Sequence, residues 1–324
     1  MKKIILLLFS FVVYTTALFA ATQIGDLCYI LDATKKTAEV TSLFGEKYYG
    51  DITIPEKVEN NYVTYKVTSI GGYAFSGCEG LTSVTIPNSV TIIGGHAFYS
   101  CSSLKSVTIP SSVERIDEFA FSSCSSLTTI NVATGNKNFC SIDGILFNIA
   151  QTMLLQCPGQ TEGAYTIPNS VSIIASGAFM GCYKLTSVDI PNSVTNIGEM
   201  VFSHCSRLKN LTIGRGVIKI GNRAFDECRS VENITCRATT PPTCYNGYVF
   251  NNVNKTIPLY VPANSVAAYQ SADVWKAFTN IQGAEMAIDN VAAKNISGTK
   301  FIRDGQLFIQ RGEVLFNAQG ARVK

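Results

Sequence analysis

A 23-residue period constrains this chain more than any other feature. Three consecutive 23-residue blocks align without gaps from Val67, and three more copies follow later. Self-similarity at a fixed period of this length is typical of a solenoid, because so small a unit cannot bury a core alone and must stack on its neighbours. The sequence therefore predicts one row of stacked units. The six copies begin at Val67, Val90, Val113, Val171, Val194 and Val217.

Apolar residues within one repeat fit neither a single long helix nor a single long strand. In the copy that starts at Val171, the segment from Leu185 to Ile190 ends in apolar–polar alternation, which predicts a strand with its apolar side chains facing inward. A second short extended segment opens the repeat. The Ala-Phe-x-x-Cys motif between the two is expected to form about one helical turn.

The pattern L-x-x-V-x-I-P, combined with A-F-x-x-C, resembles the BspA-type leucine-rich repeat of bacterial surface proteins. The resemblance covers about residues 24 to 282. It implies a right-handed α/β solenoid of short strands and turn-helices, capped at both ends, and a surface protein that functions in adhesion. The matching stretches are Leu81–Pro87, Leu104–Pro110 and Leu185–Pro191.

The first 20 residues are predicted to be a secretory signal peptide. Lys2 and Lys3 precede an apolar run that ends in small residues, with cleavage expected after Ala20 or Ala21. A retained membrane anchor is the alternative, which the shortness of the run disfavours. No later segment approaches 18 apolar residues, so the mature chain is not expected to span a membrane.

Caps are predicted on both sides of the repeats. Residues 21–66 hold short extended segments and a dense group of tyrosines that is expected to cover the first open face of the row; a binding platform is the alternative. The repeats span residues 67–237. Residues 238–283 are predicted to form a C-terminal cap with a short helix from Ser265 and with Trp275 in its core.

The period breaks in residues 133–170. Val113 and Val171, which open the third and fourth copies, lie 58 residues apart, or two periods plus 12. This spacing predicts one degenerate repeat with an added hairpin at Asp143-Gly144. The extra residues are expected to project as a loop on one face of the row.

Residues 284–324 are predicted to be a linker followed by a small antiparallel β tail. Turn signals seven or eight residues apart, from Asp304-Gly305 to Gln319-Gly320, separate short apolar strands. The tail resembles a shortened C-terminal sorting domain of Bacteroidota proteins, notably in its ending Gly-Ala-Arg-Val-Lys. This resemblance implies delivery to the outer surface; a disposable hairpin is the alternative.

Eleven cysteines in an exported chain raise the question of disulfide bonds. Six occupy the same position in successive repeats. Because equivalent side chains in a stack point the same way, these six are expected to form a ladder of small buried thiols. The candidates for disulfides are the pairs Cys140/Cys157 and Cys236/Cys244. The ladder cysteines are Cys78, Cys101, Cys124, Cys182, Cys205 and Cys228.

No constellation in the sequence predicts catalysis. The two histidines, His96 and His204, occupy different repeat positions, and a metal site would need further convergent ligands. A nucleophilic pair of His204 and Cys205 is disfavoured because adjacent side chains rarely face one another. G-x-S-x-G, Walker, H-E-x-x-H and calcium-loop motifs are absent from the sequence. We therefore expect a non-enzymatic protein without metal or cofactor.

Outward residues of the longer strands predict a polar binding surface. They flank the central apolar residue of each strand, so stacking aligns them in two columns of hydroxyl and amide groups on a concave sheet. The alternative is that exposed strands simply favour Thr and Ser. The absence of aromatic residues in these columns disfavours sugar stacking. The candidate binding residues are Ser83, Thr85, Ser106, Thr108, Thr129, Asn131, Ser187, Asp189, Asn210, Thr212, Asn233 and Thr235.

A mild basic bias in the last two repeats predicts an acidic patch on the partner. The basic residues there are Arg207, Lys209, Arg215, Lys219, Arg223, Arg229 and Arg237, and the acidic ones are Glu199, Asp226, Glu227 and Glu232.

The repeat array and the two export signals together predict a cell-surface, outer-membrane or secreted adhesin for host matrix, mucosal or bacterial proteins. A glycan-binding accessory protein and a passive envelope component are the alternatives. The mature chain is expected to be a monomer. Without Lys2 and Lys3 its 26 basic residues become 24, against 23 acidic ones. A net charge of +1 favours neither nucleic acid nor an anionic bilayer as partner.

Overall fold

The computed structural model describes residues 21–43 and 45–285, and then four short strands between residues 299 and 323. The predicted signal peptide and most of the predicted linker lie outside the described residues. The chain divides into two compact units, Met1–Ala284 and Glu285–Lys324.

The N-terminal cap consists of a small mixed sheet and one strand outside it, β4, and leads into the first repeat. Its strands are β1 (Thr22–Ile24), β2 (Leu27–Asp32), β3 (Thr37–Thr41), β4 (Gly50–Thr53), β5 (Lys57–Asn60) and β6 (Val63–Ile70). β1, β2 and β3 form an antiparallel meander, and β3 pairs in parallel with β6. Of the clustered tyrosines, Tyr29, Tyr48 and Tyr65 are buried in the cap, whereas Tyr49 and Tyr62 are exposed.

Each regular repeat contributes one short strand and one longer strand, as the sequence predicts. In the first three repeats, these are the end of β6 followed by β7 (Leu81–Thr85), β8 (Ile92–Ile93), β9 (Ser106–Ile109), β10 (Arg115–Ile116) and β11 (Thr129–Val132).

The segment between the two strands of a repeat is a run of turns and not the expected helical turn. In the first repeat, Tyr73 and Gly77 have φ angles of +59° and +66°, and such left-handed residues stop a helix from propagating. Between them, the backbone N–H of Phe75 donates to Ala97 O of the next repeat at 2.7 Å. These turns therefore join neighbouring repeats through the backbone.

The insert is built into the stack and does not project as the expected loop. Its strands are β12 (Phe139–Ile142), β13 (Ile145–Asn148), β14 (Met153–Gln156) and β15 (Gly163–Thr166). The predicted hairpin joins β12 and β13 through Asp143 and Gly144, both with positive φ. Its residues stay inside because Leu146 and Phe147 are buried. β14 and β15 then take the places of a short and a long repeat strand and pair in parallel with β16 and β17.

The regular pattern resumes in the last three repeats and ends in the C-terminal cap. The repeat strands are β16 (Ile173–Ile174), β17 (Leu185–Ile190), β18 (Asn196–Ile197), β19 (Asn210–Ile213), β20 (Lys219–Ile220) and β21 (Asn233–Cys236). The cap contains β22 (Thr243–Cys244), β23 (Leu259–Pro262), the predicted short helix α1 (Val266–Ser271) and β24 (Ile281–Ala284). Trp275 is fully buried there, as predicted, and its indole Nε1 donates to Pro242 O at 2.8 Å.

The second unit is an antiparallel sheet in the region where the turn signals predict one. Its strands are β25 (Thr299–Arg303), β26 (Gln306–Arg311), β27 (Val314–Asn317) and β28 (Arg322–Val323).

In the first unit, the strands line up in two columns and make a β-solenoid of about nine turns. The short-strand column contains β6, β8 and β10 and then, after the insert, β14, β16, β18, β20 and β22. The long-strand column contains β4, β7, β9 and β11 and then β15, β17, β19, β21, β23 and β24. Pairing along each column is parallel, and both columns are interrupted at the insert. The long-strand column is also interrupted between β7 and β9.

Between the columns, the buried residues form two clusters that meet at the insert. β13 contributes to both, with Leu146 in the N-terminal cluster and Ile145 and Phe147 in the C-terminal cluster. This follows from the alternation of side chains along a strand. β13 therefore joins the two halves of the core, and among the insert strands it is the one with buried residues in both clusters.

Stacked phenylalanines and the cysteine ladder run through the core. Phe202 and Phe225 stack with ring centroids 5.4 Å apart and planes inclined by 4°. The six ladder cysteines are buried free thiols, as predicted. Five of these thiols, all but Cys78, donate a hydrogen bond to a carbonyl of the preceding turn of the solenoid, as when Cys228 Sγ donates to Phe202 O at 3.1 Å. Burial raises the pKa of the Cys78 thiol to about 11.

Candidate functional site

The twelve candidate residues form one surface on the long-strand column, which we call the polar face. None of them is buried. Ser187, Asn210 and Asn233 are directly in register, and so are Asp189, Thr212 and Thr235. The N-terminal members align in the same way, for example Ser106 with Thr129 and Thr108 with Asn131. Within each of these sheets, the candidate residues therefore fall into two in-register columns.

The columns extend further than the sequence predicts. Asp51 and Thr53 of β4 are in register with Ser83 and Thr85. At the other end, Tyr260 of β23 is in register with Thr235, and Gln282 of β24 with Tyr260. The columns contain no aromatic residue in the repeats, as expected, and the C-terminal cap adds Tyr260 to them.

Hydrogen bonds order parts of the polar face. Asn233 Nδ2 donates to Asn210 Oδ1 at 2.7 Å. Ser83 Oγ and Thr82 Oγ1 donate to Asp51 Oδ1 at 2.6 and 2.7 Å, and these bonds lower the pKa of that carboxyl. Since such bonds hold the side chains in fixed positions, less conformational entropy is lost when a partner binds.

Ion pairs neutralise part of the predicted basic patch. Lys209 Nζ lies 2.9 Å from Glu232 Oε1, and the Arg237 guanidinium lies 3.8 Å from Asp189 Oδ1. Of the other basic residues, Arg229 pairs with Glu227 and Arg223 lies over the Tyr248 ring. Three exposed residues form no ion pair with a described residue, namely Arg207, Arg215 and Lys219.

A second surface feature, which we call the junction cleft, lies beside the insert and was not predicted. It is a cavity of about 370 Å³ between the third and fourth repeats. One wall runs from Ile116 to Phe121 and the other from Ile173 to Ser176, with Leu146 and Gln156 between them. Cavities of this size fall within the range of ligand sites.

The cleft opens because the insert changes strand pairing. β14 pairs with β13 on one side and β16 on the other, so its edge is not available to β10, and β10 pairs only with β8. Further along the repeats, Ser123 N–H donates to Met180 O at 3.1 Å and Ser176 Oγ donates to Glu118 Oε1 at 2.9 Å. The two repeats therefore touch along these turns, whereas their short strands β10 and β16 do not pair with each other.

The four cysteines proposed for disulfides are not bonded in the structure. All are free thiols. Cys157 Sγ donates to Thr161 Oγ1 at 3.1 Å, and Cys236 Sγ accepts from Tyr269 Oη at 3.1 Å. Cys140 and Cys244 contact backbone carbonyls instead. Each of the four thiols thus has a polar contact other than its proposed disulfide partner, and the two disulfides stay predictions.

The histidines do not assemble a reactive site. The His96 ring stacks between Tyr73 and Phe119, with centroids 4.6 and 4.8 Å apart, and burial lowers its pKa. His204 is exposed, whereas Cys205 is buried and its thiol pKa lies well above the usual range. Among the described residues, no three His, Cys, Asp or Glu side chains converge as metal ligands would.

The fold and the repeat geometry define a leucine-rich β-solenoid. The family model described as "BspA type Leucine rich repeat region" matches six copies, over residues 55–153 and 148–272. The match covers more than half of the chain, and the chain belongs to this family. The resemblance seen in the sequence is therefore confirmed. No curated protein matches the sequence.

Several solved structures are similar to this one. A leucine-rich cell surface protein from Faecalibacterium prausnitzii is 23% identical, with 83% of this chain and 96% of that chain covered and a TM-score of 0.42. A leucine-rich repeat protein from Eubacterium ventriosum is 18% identical, with coverage of 79% and 82% and a TM-score of 0.46. The pneumococcal vaccine antigen PcpA is 17% identical, with coverage of 83% and 99% and a TM-score of 0.45.

The described residues contain no helix that is both long and apolar enough to cross a membrane.

Proposed function

We propose that this protein is an exported, non-enzymatic surface protein that binds other proteins through its polar face. The observation that carries the proposal is the pair of in-register polar columns, which continue from the fourth repeat into the C-terminal cap. A solenoid offers an extended, nearly rigid surface of this kind to an extended partner. The family supports the coarser part of the proposal, a bacterial repeat protein of the surface type.

Export rests on the predicted signal peptide and on the sorting-like tail. Protease treatment of intact cells, followed by mass spectrometry of the released peptides, tests it. Repeat peptides in the released fraction are the expected result. Repeats that stay protected until the cells are lysed would place the protein in the periplasm and remove the basis for adhesion.

The binding role is tested with the purified mature chain on immobilised matrix proteins, mucin and bacterial cells. We expect saturable binding to at least one of them. Thr212→Trp, in the middle of the polar face, should weaken that binding by about tenfold or more, because a bulky side chain is poorly tolerated at the centre of an interface. Ile218→Trp is the matched control, since Ile218 is 60% exposed on the short-strand column. Equal loss in both variants, or binding to no surface, contradicts the proposal.

The same panel separates the two alternative functions. Binding that persists on deglycosylated protein excludes a glycan accessory role. Reversing Arg207 and Lys209 to Glu tests the acidic-partner hypothesis, which requires weaker binding and a weaker dependence on salt.

A further inference from the structure

The regular repeats establish what the short-strand column normally does with its backbone. In each repeat, two carbonyls that point along the stack accept hydrogen bonds from the next repeat. In the second repeat, Thr91 O accepts from Glu114 N–H at 2.8 Å, and Ile93 O accepts from Asp117 N–H at 2.9 Å. The first, fourth, fifth and sixth repeats show the same pair of bonds.

The third repeat departs from this rule. Its equivalent carbonyls are Glu114 O and Ile116 O, and neither accepts a hydrogen bond from any described residue. The cause is the insert, because β13 has taken the edge of β14 that β10 would otherwise use. β10 is thus an open strand edge within the row, and Ile116 lies in the wall of the junction cleft.

An open strand edge selects an extended polypeptide over other ligands. Carbonyls two residues apart on a strand lie about 7 Å apart, which matches alternate N–H groups of an extended chain. Addition of a peptide strand to such an edge is a general mode of recognition. In this solenoid, the peptide would take the place that the next repeat takes elsewhere.

The side chains of the cleft specify the chemistry of that peptide. Its lining includes the carboxylates of Asp117 and Glu118 and no basic residue. Glu118 is exposed, and Asp117 lies 3.0 Å from Arg115 Nε at the rim. The remaining surface is largely apolar and includes Phe119 and Leu155. Such a lining complements a basic side chain set between apolar ones.

We infer that the junction cleft binds an extended segment of a partner protein, which adds to the β10 edge and places a basic side chain against Asp117 and Glu118. This inference rests on the proposed function, since it presumes a protein partner. It assigns recognition to the opposite column from the polar face, so the two surfaces can be tested separately.

The probe is a random dodecapeptide library on phage, selected on the mature chain and counter-selected on Ala175→Trp. Ala175 lines the cleft, and the indole fills it. We expect enriched peptides with a basic residue between apolar residues, and an affinity at least tenfold lower for Ala175→Trp than for the original chain or for Ile218→Trp. Peptides that bind all three proteins equally, or no enrichment, overturn the inference.

Two further measurements keep the test valid if Ala175→Trp fails to fold. N-methylation of alternate residues in an enriched peptide removes the N–H donors that the β10 carbonyls need, and it should reduce affinity at least tenfold on the original chain. Asp117→Asn with Glu118→Gln should reduce affinity about three- to tenfold at low salt and less at high salt. Unchanged affinity in the N-methylation experiment excludes strand addition.

These outcomes distinguish the inference from the proposed function. If Thr212→Trp abolishes binding to the panel while no peptide is selected, the polar face remains the binding surface and only the cleft proposal fails. If peptides bind in the cleft while the panel shows no binding, the cleft proposal stands and adhesion through the polar face fails.

Discussion

Two interfaces between repeats are built from the same sequence motif with different results. Between the fifth and sixth repeats, Phe202 stacks on Phe225, and Thr195 O and Ile197 O each accept a backbone hydrogen bond. Between the third and fourth repeats, the phenylalanine stack is interrupted, two backbone carbonyls are left open and a cavity of about 370 Å³ appears. The regular interface satisfies its backbone groups internally, and the irregular one leaves two carbonyls without a partner among the described residues.

The difference shows how a repeat protein acquires a discrete site. A period that satisfies every backbone group and fills every core position leaves a smooth surface. A hairpin of ten residues, Phe139 to Asn148, changes which strand pairs with which. Specific recognition can therefore arise at the break in the period, while the stability of the row depends on the repeats on both sides.

The largest expected effect comes from the stacked phenylalanines. Phe202 contacts rings on both sides, with centroids 4.8 Å from Phe179 and 5.4 Å from Phe225. Phe121 has a ring partner on one side, Phe98 at 5.2 Å. Phe202→Ala should lower the free energy of unfolding by about 3–5 kcal/mol. Phe121→Ala should lower it by roughly 1 kcal/mol less, because one aromatic contact fewer is lost.

Urea unfolding followed by circular dichroism measures both variants. If Phe202→Ala and Phe121→Ala lower the free energy of unfolding equally, the insert must pack against Phe121 as closely as a second phenylalanine would. The contrast between the two interfaces would then fail.

The second prediction concerns the strand that joins the two core clusters. Leu146 is fully buried and is the residue of β13 that belongs to the N-terminal cluster. Leu146→Ala should lower stability by about 2–4 kcal/mol, and it should also uncouple the halves, since coupling in a row of repeats runs only through neighbouring units.

Trp275 makes the uncoupling measurable. It is the only tryptophan of the chain and lies in the C-terminal cluster, so its fluorescence reports that half alone. In Leu146→Ala, the circular dichroism transition should begin at a lower urea concentration than the fluorescence transition. Leu211→Ala, a buried leucine away from the insert, is the control and should keep the two transitions together. Coincident transitions in both variants would show that β13 is not the joint.

How much of this molecule the sequence can predict depends on whether a feature repeats. The strands, the inward residues, the cysteine ladder and the polar columns recur six times, so one sequence contains six independent copies of the evidence. Asp143-Gly144 is a strong local hairpin signal and gave the correct turn. These features follow from local spacing and stacking alone.

The junction cleft could not be predicted in this way. The cleft exists because β14 pairs with β13 and not with β10. The sequence of a short apolar strand does not determine which neighbouring strand it pairs with. One local signal does exist in Gly177, whose φ is +70° and where a Cβ would overlap the Phe119 ring. The glycine allows the two repeats to touch beside the cleft, but only the structure shows what it contacts. The missing helical turn has a similar reason, since every other backbone N–H of the segment, such as that of Phe75, donates to the next repeat and not within the turn.

The third prediction concerns the dependence of stability on pH. Burial raises the pKa of Cys78 from 9.0 to about 11 in the folded chain, so an unfolded chain ionises this thiol before the folded one does. The stabilisation is complete below pH 9 and is lost between about pH 9 and 11. From pH 8 to 10.5, this thiol should contribute a loss of up to about 2 kcal/mol.

Urea midpoints of the original chain and Cys78→Val at both pH values test this. The variant should lose less stability over the interval, and identical slopes would mean that Cys78 does not titrate as a buried thiol.

Alkylation followed by intact-mass measurement supplies the complementary test: eleven thiols should react in urea. If all six ladder cysteines resist alkylation in urea, the ladder of free thiols is contradicted in both halves of the core.

The smallest expected effects compare polar contacts across the two interfaces. Lys209 and Glu232 join the fifth and sixth repeats at 2.9 Å, with 54% and 60% of their side chains exposed. Because water and salt screen such a pair, Lys209→Ala should change stability by less than about 1 kcal/mol.

Ser176, only 8% exposed, donates to Glu118 at 2.9 Å beside the cleft. Ser176→Ala removes this hydrogen bond and should lower the free energy of unfolding by about 1–2 kcal/mol. The effect is larger than for Lys209 because a hydrogen bond from a largely buried hydroxyl to a carboxylate contributes more than an exposed ion pair. Thermal unfolding at low and high salt measures both, and salt should diminish the Lys209 effect more than the Ser176 effect. If Lys209→Ala is the more destabilising variant, the regular interface depends on its charged surface contacts more than on its core. The distinction between a self-sufficient interface and an open one would then have to be abandoned.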